Sequence, residues 1–207
     1  VIFTDSGSAG TANIINNSGG ATRFYDTSTA AGASITNNGA LQFSDSATGG
    51  QAQIVTNGGA TTVFTDTALA GSGAPGATFT NNGTTVFLDQ SGTGTSTVVN
   101  NGTGELHLAG SSSIGGGFTN NGLTVVSDSA NLGTGLVVNN GDMLLRDAAT
   151  QSSATVANNN TLVFTGTSTA ATGTINNNQT GVAAFLGSSN AGNGSQIVND
   201  GRLYFGE

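Results

Sequence analysis

The feature that most constrains this chain is a repeat. Ten times, an aliphatic or aromatic residue stands two places before a doublet that is usually Asn-Asn. These residues are Ile14, Ile35, Ile54, Phe79, Val98, Phe118, Val137, Val156, Ile175 and Ile197. Their spacings are 21, 19, 25, 19, 20, 19, 19, 19 and 22 residues, so the underlying period is 19. A unit this short cannot bury an apolar face by itself, but a stack of such units can.

A second apolar position lies 8 or 10 residues further on. It is filled by Phe24, Phe43, Phe64, Phe87, Leu108, Val126, Leu145, Phe164, Phe185 and Phe205, with Phe3 in the same phase at the start of the chain. The extra two residues, where present, sit beside a Gly-rich turn and read as loop insertions that leave both flanking strands in phase. Small residues such as Ala12, Ala33, Ala52, Ala77, Ser96 and Ala154 recur two places before the first ladder. Apolar and polar residues alternate through these windows, which is a strand signal, and no window has a helical period.

Two kinds of corner separate the strands. The Asn doublets, usually followed by Gly, predict a tight turn that uses positive φ or an Asn side chain. The second corner, two residues past the Phe ladder, is Asp5, Asp26, Asp45, Asp66, Asp89, Asp128 and Asp147, with Gly110, Gly166 and Gly187 in the same column. Asp exchanging with Gly marks a backbone requirement. Stacked at strand spacing, the Asn amides are placed to hydrogen-bond along their column, as in the ladders of cross-β structures.

These observations predict an all-β chain forming a single domain over residues 1–207: a single-stranded parallel β-helix, or β-solenoid, of about ten coils of 19–25 residues. The two ladders become two continuous apolar columns, and the rod is about 50 Å long at about 4.8 Å per coil. The insertion Asp66-Thr67-Ala68-Leu69-Ala70-Gly71-Ser72-Gly73-Ala74-Pro75-Gly76, which holds the only proline, is expected to protrude.

Composition narrows the function. Acidic residues number 11 against three basic ones (Arg23, Arg146 and Arg202), and the formal net charge is −8. Without a basic patch the chain is not expected to bind nucleic acid. No apolar run is long enough to insert this segment in a membrane, and with no Cys there is no disulfide framework. No cofactor is expected.

The units Phe24-Tyr25-Asp26-Thr27-Ser28 and Ala33-Ser34-Ile35-Thr36-Asn37-Asn38-Gly39 follow a pattern, Phe-x-Asp-x-Ser then Ala-x-Ile-x-Asn-x-Gly. It resembles the passenger repeats of autotransporters of Gram-negative bacteria, and the 19-residue period is similar to that of filamentous-haemagglutinin-type adhesins. The likeness covers all 207 residues through a degenerate repeat rather than a diagnostic motif. It implies a right-handed helix, exported and displayed at the bacterial cell surface, and it brings no catalytic residues with it. The expected function is therefore non-enzymatic: an extracellular structural or adhesive stalk or fibre segment. Its expected partners are other solenoid copies, end to end or side by side, or a host surface or polysaccharide.

Other readings rest on particular residues. A filament joined end to end is suggested by the phase match between Val1-Ile2-Phe3 and Leu203-Tyr204-Phe205. The seven Asp residues form a candidate Ca²⁺ column, against the plainer reading that each caps N–H groups of its own corner as in an Asx-turn. Ice binding would require regular Thr columns, of which Thr78, Thr80, Thr97, Thr155 and Thr174 are a partial version. A polysaccharide-active enzyme would need paired carboxylates. Outside the column only Glu105, Asp142, Asp200 and Glu207 are acidic, and His107 is expected to sit beside Glu105 on an outward strand face. Finally, Val55, Val99, Val138 and Val198, with Val63, Val86, Val125, Leu144, Val163 and Tyr204, are expected to form one outward apolar strip.

Overall fold

A computed structural model of the chain describes residues 1–206. It is all-β, with 21 short strands and no helix among the described residues. The strands form two fully parallel sheets of 11 and 10 strands, and every strand pairs with the strand one coil away. Ser34–Asn37 pairs with Gln53–Thr56, and Ala40–Phe43 with Thr61–Phe64, without a slip of register. A third, minimal face closes the coil. It is a column of single parallel bridges from Ser8 through Thr29, Thr48, Leu69, Gly92, Ser113, Asn131, Thr150 and Thr169 to Asn190. The molecule is a three-sided β-solenoid of about ten coils.

Each strand is short because only two side chains per strand point inward. In Gln53–Thr56 these are Ile54 and Thr56; in Thr61–Phe64 they are Thr62 and Phe64. Both apolar ladders read from the sequence are internal. Ile35, Ile54, Phe79, Val98, Phe118, Val137, Val156 and Ile175 are fully buried, and Ile14 and Ile197 are partly covered in the end coils. In the second ladder the rings of Phe3, Phe24, Phe43, Phe64 and Phe87 stack at centroid spacings of 4.5–4.9 Å. Leu108, Val126 and Leu145 interrupt the stack before it resumes with Phe164, Phe185 and Phe205. In-register parallel pairing imposes this stacked arrangement, and each such pair contributes about 0.5–1.5 kcal/mol beyond its buried area.

The bridge face has its own interior. Small residues (Ser28, Ala47, Ala68, Ser91, Ser112, Ala130, Ala149, Ser168) line it on one side of the bridge. A more varied column that includes Ala30, Ala70, Ile114, Leu132 and Ala170 lines the other. The small side chains let this side of the coil approach the two sheets closely.

The insertion is narrower than the sequence suggested. Asp66 is an ordinary corner and Leu69 an ordinary bridge residue. The departure begins at Gly71, and only Gly73, Ala74 and Pro75 are exposed. Even there the loop is tied to both neighbouring coils, by Gln51 Nε2 donating to Ala74 O and Thr95 Oγ1 donating to Gly73 O.

Candidate functional site

The chemistry-bearing side chains form columns along the rod. The most extensive is an asparagine ladder inside it. Asn37, Asn81, Asn100, Asn120, Asn139, Asn158 and Asn177 are each fully buried at the last position of a strand. From Asn81 to Asn199 each Nδ2 donates to Oδ1 of the Asn one coil later, at 2.7–2.9 Å. The same Nδ2 also donates to the carbonyl that opens the next coil's second strand, as Asn100 does to Leu123 O and Asn120 to Asp142 O. Thr85 and Thr124 hydroxyls complete the acceptors of Asn81 and Asn120. Burying a primary amide is costly only when its hydrogen bonds are lost, and here they are kept.

The bonding along the column agrees with the sequence reading, and in two coils the Asn side chain also closes the turn, Asn37 Oδ1 accepting from Gly39 N–H and Asn81 Oδ1 from Gly83 N–H; left-handed Asn backbone is not used. None of the corner Asn residues has positive φ. The first Asn of each doublet is a strand residue turned into the core, because the outgoing strand-end carbonyls need donors that only an inward amide reaches. Thr56 breaks the ladder, and there Asn37 keeps the bond to the strand-opening carbonyl, Thr61 O, and donates to Thr62 Oγ1 in place of a stacked amide.

The second Asn of each doublet forms an outer ladder of opposite polarity. Asn57 Nδ2 donates back to Asn38 Oδ1, Asn101 to Asn82, Asn140 to Asn121, Asn159 to Asn140 and Asn178 to Asn159, at 2.6–2.9 Å.

The Asp column is a backbone device. All seven residues have φ between 55° and 58°, and Gly110, Gly166 and Gly187 share that left-handed conformation. The carboxylates do not cap their own corners, as an Asx-turn would. Asp26, Asp45, Asp66, Asp89, Asp128 and Asp147 each accept the corner N–H of the preceding coil, at 2.9–3.5 Å. The left-handed corner aims that N–H along the stack, toward the carboxylate of the next coil. Among the described residues no three His, Asp or Glu side chains converge on a point that could hold a metal ion.

A third corner, not read from the sequence, follows the bridge. Its left-handed residues include Gly10, Ala31, Gly50, Gly133, Ser152 and Ala171. Each N–H is accepted by the Ser, Thr or Asn side chain two residues earlier, as Ala31 N–H is by Thr29 Oγ1 and Ala171 N–H by Thr169 Oγ1. The signal was a hydroxyl or Asn two places before a small residue, masked by the abundance of both.

The remaining candidates are on the outer surface. Glu105 and His107 lie side by side on one strand, facing out, with Nε2 and Oε2 3.6 Å apart. The Thr positions form a mixed column: on the ten-stranded sheet only one coil presents Thr at both outward positions, Thr78 and Thr80. The expected apolar strip is two strips. Val55, Val99, Val138 and Val198 belong to the ten-stranded sheet, whereas Val63, Val86, Val125, Leu144, Val163 and Tyr204 lie on the eleven-stranded one, on another side of the rod. Glu207 lies outside the described residues. No cleft or cavity opens on the surface of the described residues, and none of their helices could cross a membrane, there being none.

Comparison of the chain with protein-family models, curated proteins and solved structures finds no match.

Proposed function

We propose that this chain is a non-enzymatic structural or adhesive segment, a stalk or fibre, of a bacterial surface protein working outside the cell. The observation that carries this reading is the direction of its polar chemistry. Carboxylates and amides bond from coil to coil along the rod, and among the described residues the sides present aliphatic, hydroxyl and amide groups without a cleft. Such a molecule transmits length and resists separation of its coils. The resemblance to autotransporter passengers supports the location. The test is antibody labelling of intact cells that carry the native protein, with electron microscopy of the labelled layer. Labelled projections on the outer surface are expected; antigen found only inside lysed cells would overturn the reading.

A filament of copies joined end to end is the second reading. Its supporting observation is the parallel, in-register pairing of every strand with the next coil's, a pattern that a further copy can continue. Sedimentation across a concentration series separates the two. Association that Phe205→Asp abolishes favours the filament, and a monomeric rod favours the segment.

A further inference from the structure

The chain contains seven Asn–Gly dipeptides, at Asn38, Asn57, Asn82, Asn101, Asn121, Asn140 and Asn193. This dipeptide is chemically labile, because a glycine after Asn leaves the main-chain nitrogen free to approach the side-chain carbonyl carbon. In four coils the fold demands it. A Cβ on Gly39, Gly83, Gly122 or Gly141 would run into a carbonyl oxygen of the preceding coil. The Asn before each glycine builds the outer ladder.

Six of the seven side chains are held in that ladder by at least one bond to a neighbouring coil. In two of them the glycine N–H is engaged as well: Gly39 donates to Asn37 Oδ1 and Gly83 to Asn81 Oδ1. Asn193 differs. It is exposed, stands outside both ladders, and lies between two glycines with φ of 84° and 91°. A Cβ on Gly194 would meet nothing within 4 Å, so the backbone there is uncrowded.

We propose that Asn193 is a spontaneous modification site, deamidating through a succinimide, and that the outer ladder protects the other six dipeptides from the same reaction. The Gly194 nitrogen gives up its proton to solvent base and attacks Asn193 Cγ. A C–N bond forms, and the side-chain amide leaves as ammonia. Water then opens the ring at either carbonyl, leaving Asp or isoaspartate at position 193. No oxidant or cofactor is involved. For a ladder residue, one or two hydrogen bonds must break before Cγ can turn toward its own backbone, which slows the step by roughly threefold to tenfold.

The test is incubation of the folded chain in mildly alkaline buffer, followed by peptide mapping with mass spectrometry and isoaspartate detection. Asn193 is expected to convert roughly threefold to tenfold faster than any ladder Asn. In denaturant the seven should converge to similar rates. Asn82→Ser, which removes the only side-chain bond of Asn101, should raise conversion at Asn101 toward that of Asn193 while circular dichroism stays unchanged. The proposal is overturned if a ladder Asn converts as fast as Asn193 in the folded chain, or if Asn101 is unaffected by Asn82→Ser.

Discussion

At the scale of single residues, the two asparagine ladders look alike in sequence and differ in consequence. Asn120 accepts from Asn100 and Thr124 and donates to Asn139 and Asp142 O, all in a fully buried position. Asn120→Ala strands several buried polar atoms, each costing about 1–3 kcal/mol, so a loss of about 3–5 kcal/mol is expected. Asn121→Ala removes an outer-ladder bond open to water and should cost about 1 kcal/mol or less. Urea unfolding of the two variants checks the ranking, and equal losses would mean that the inner ladder is not the stronger tie. The opposite sign is expected at Ser112. Its buried hydroxyl has no partner, whereas the equivalent Ser91 and Ser168 hydroxyls donate to Phe64 O and Leu145 O. Ala130 and Ala149 fill the same column in the next coils. Ser112→Ala should therefore stabilise the chain by up to about 1–2 kcal/mol, read as a higher urea midpoint at unchanged slope.

At the scale of elements, the strands tolerate changes at their corners and not within themselves. Successive side chains alternate in and out, so a shift of one residue exchanges the core and solvent faces. One residue inserted between Thr124 and Val125 should turn Val126 outward and abolish cooperative unfolding. Two residues inserted between Asn121 and Gly122 should leave the far-ultraviolet spectrum intact, because coils with a 10-residue gap already carry such an extension. Loss of structure in the second variant would show that the corner, and not the strand, sets the register. Much of this level was legible in the sequence. The gap lengths named the corner insertions, and both apolar ladders proved to be core. The third face was not legible. A single bridge residue flanked by Ser and Ala has no apolar signal, and its columns become visible only when three sides must close.

At the scale of the whole molecule, stability is carried from neighbour to neighbour, so coils behave as separable units. Deleting residues 120–138 joins Thr119 to Asn139 and removes one 19-residue period. The inner ladder should reconnect from Asn100 to Asn139. Small-angle X-ray scattering should show a rod shorter by about 4.8 Å, the spacing of adjacent strands, with a cooperative melt retained. A collapsed or aggregated product would mean that this coil supplies something its neighbours do not. The formal charge of −8 is small for the surface of a rod this long, yet its single sign opposes casual sideways packing.

The sequence by itself determined the period, the identity of the core and the stacking of coil on coil, because a 19-residue unit with two apolar positions has only its own copies to bury against. It also placed the Asp–Gly column at corners, since those two residues share a tolerance for left-handed backbone. Tertiary structure alone decided where the polar groups point. That the first Asn of each doublet turns inward, that each carboxylate serves the coil before it, and that the outward valines divide between two sides all depend on which donors and acceptors the stack leaves unpaired. Those vacancies exist only once one coil lies on the next.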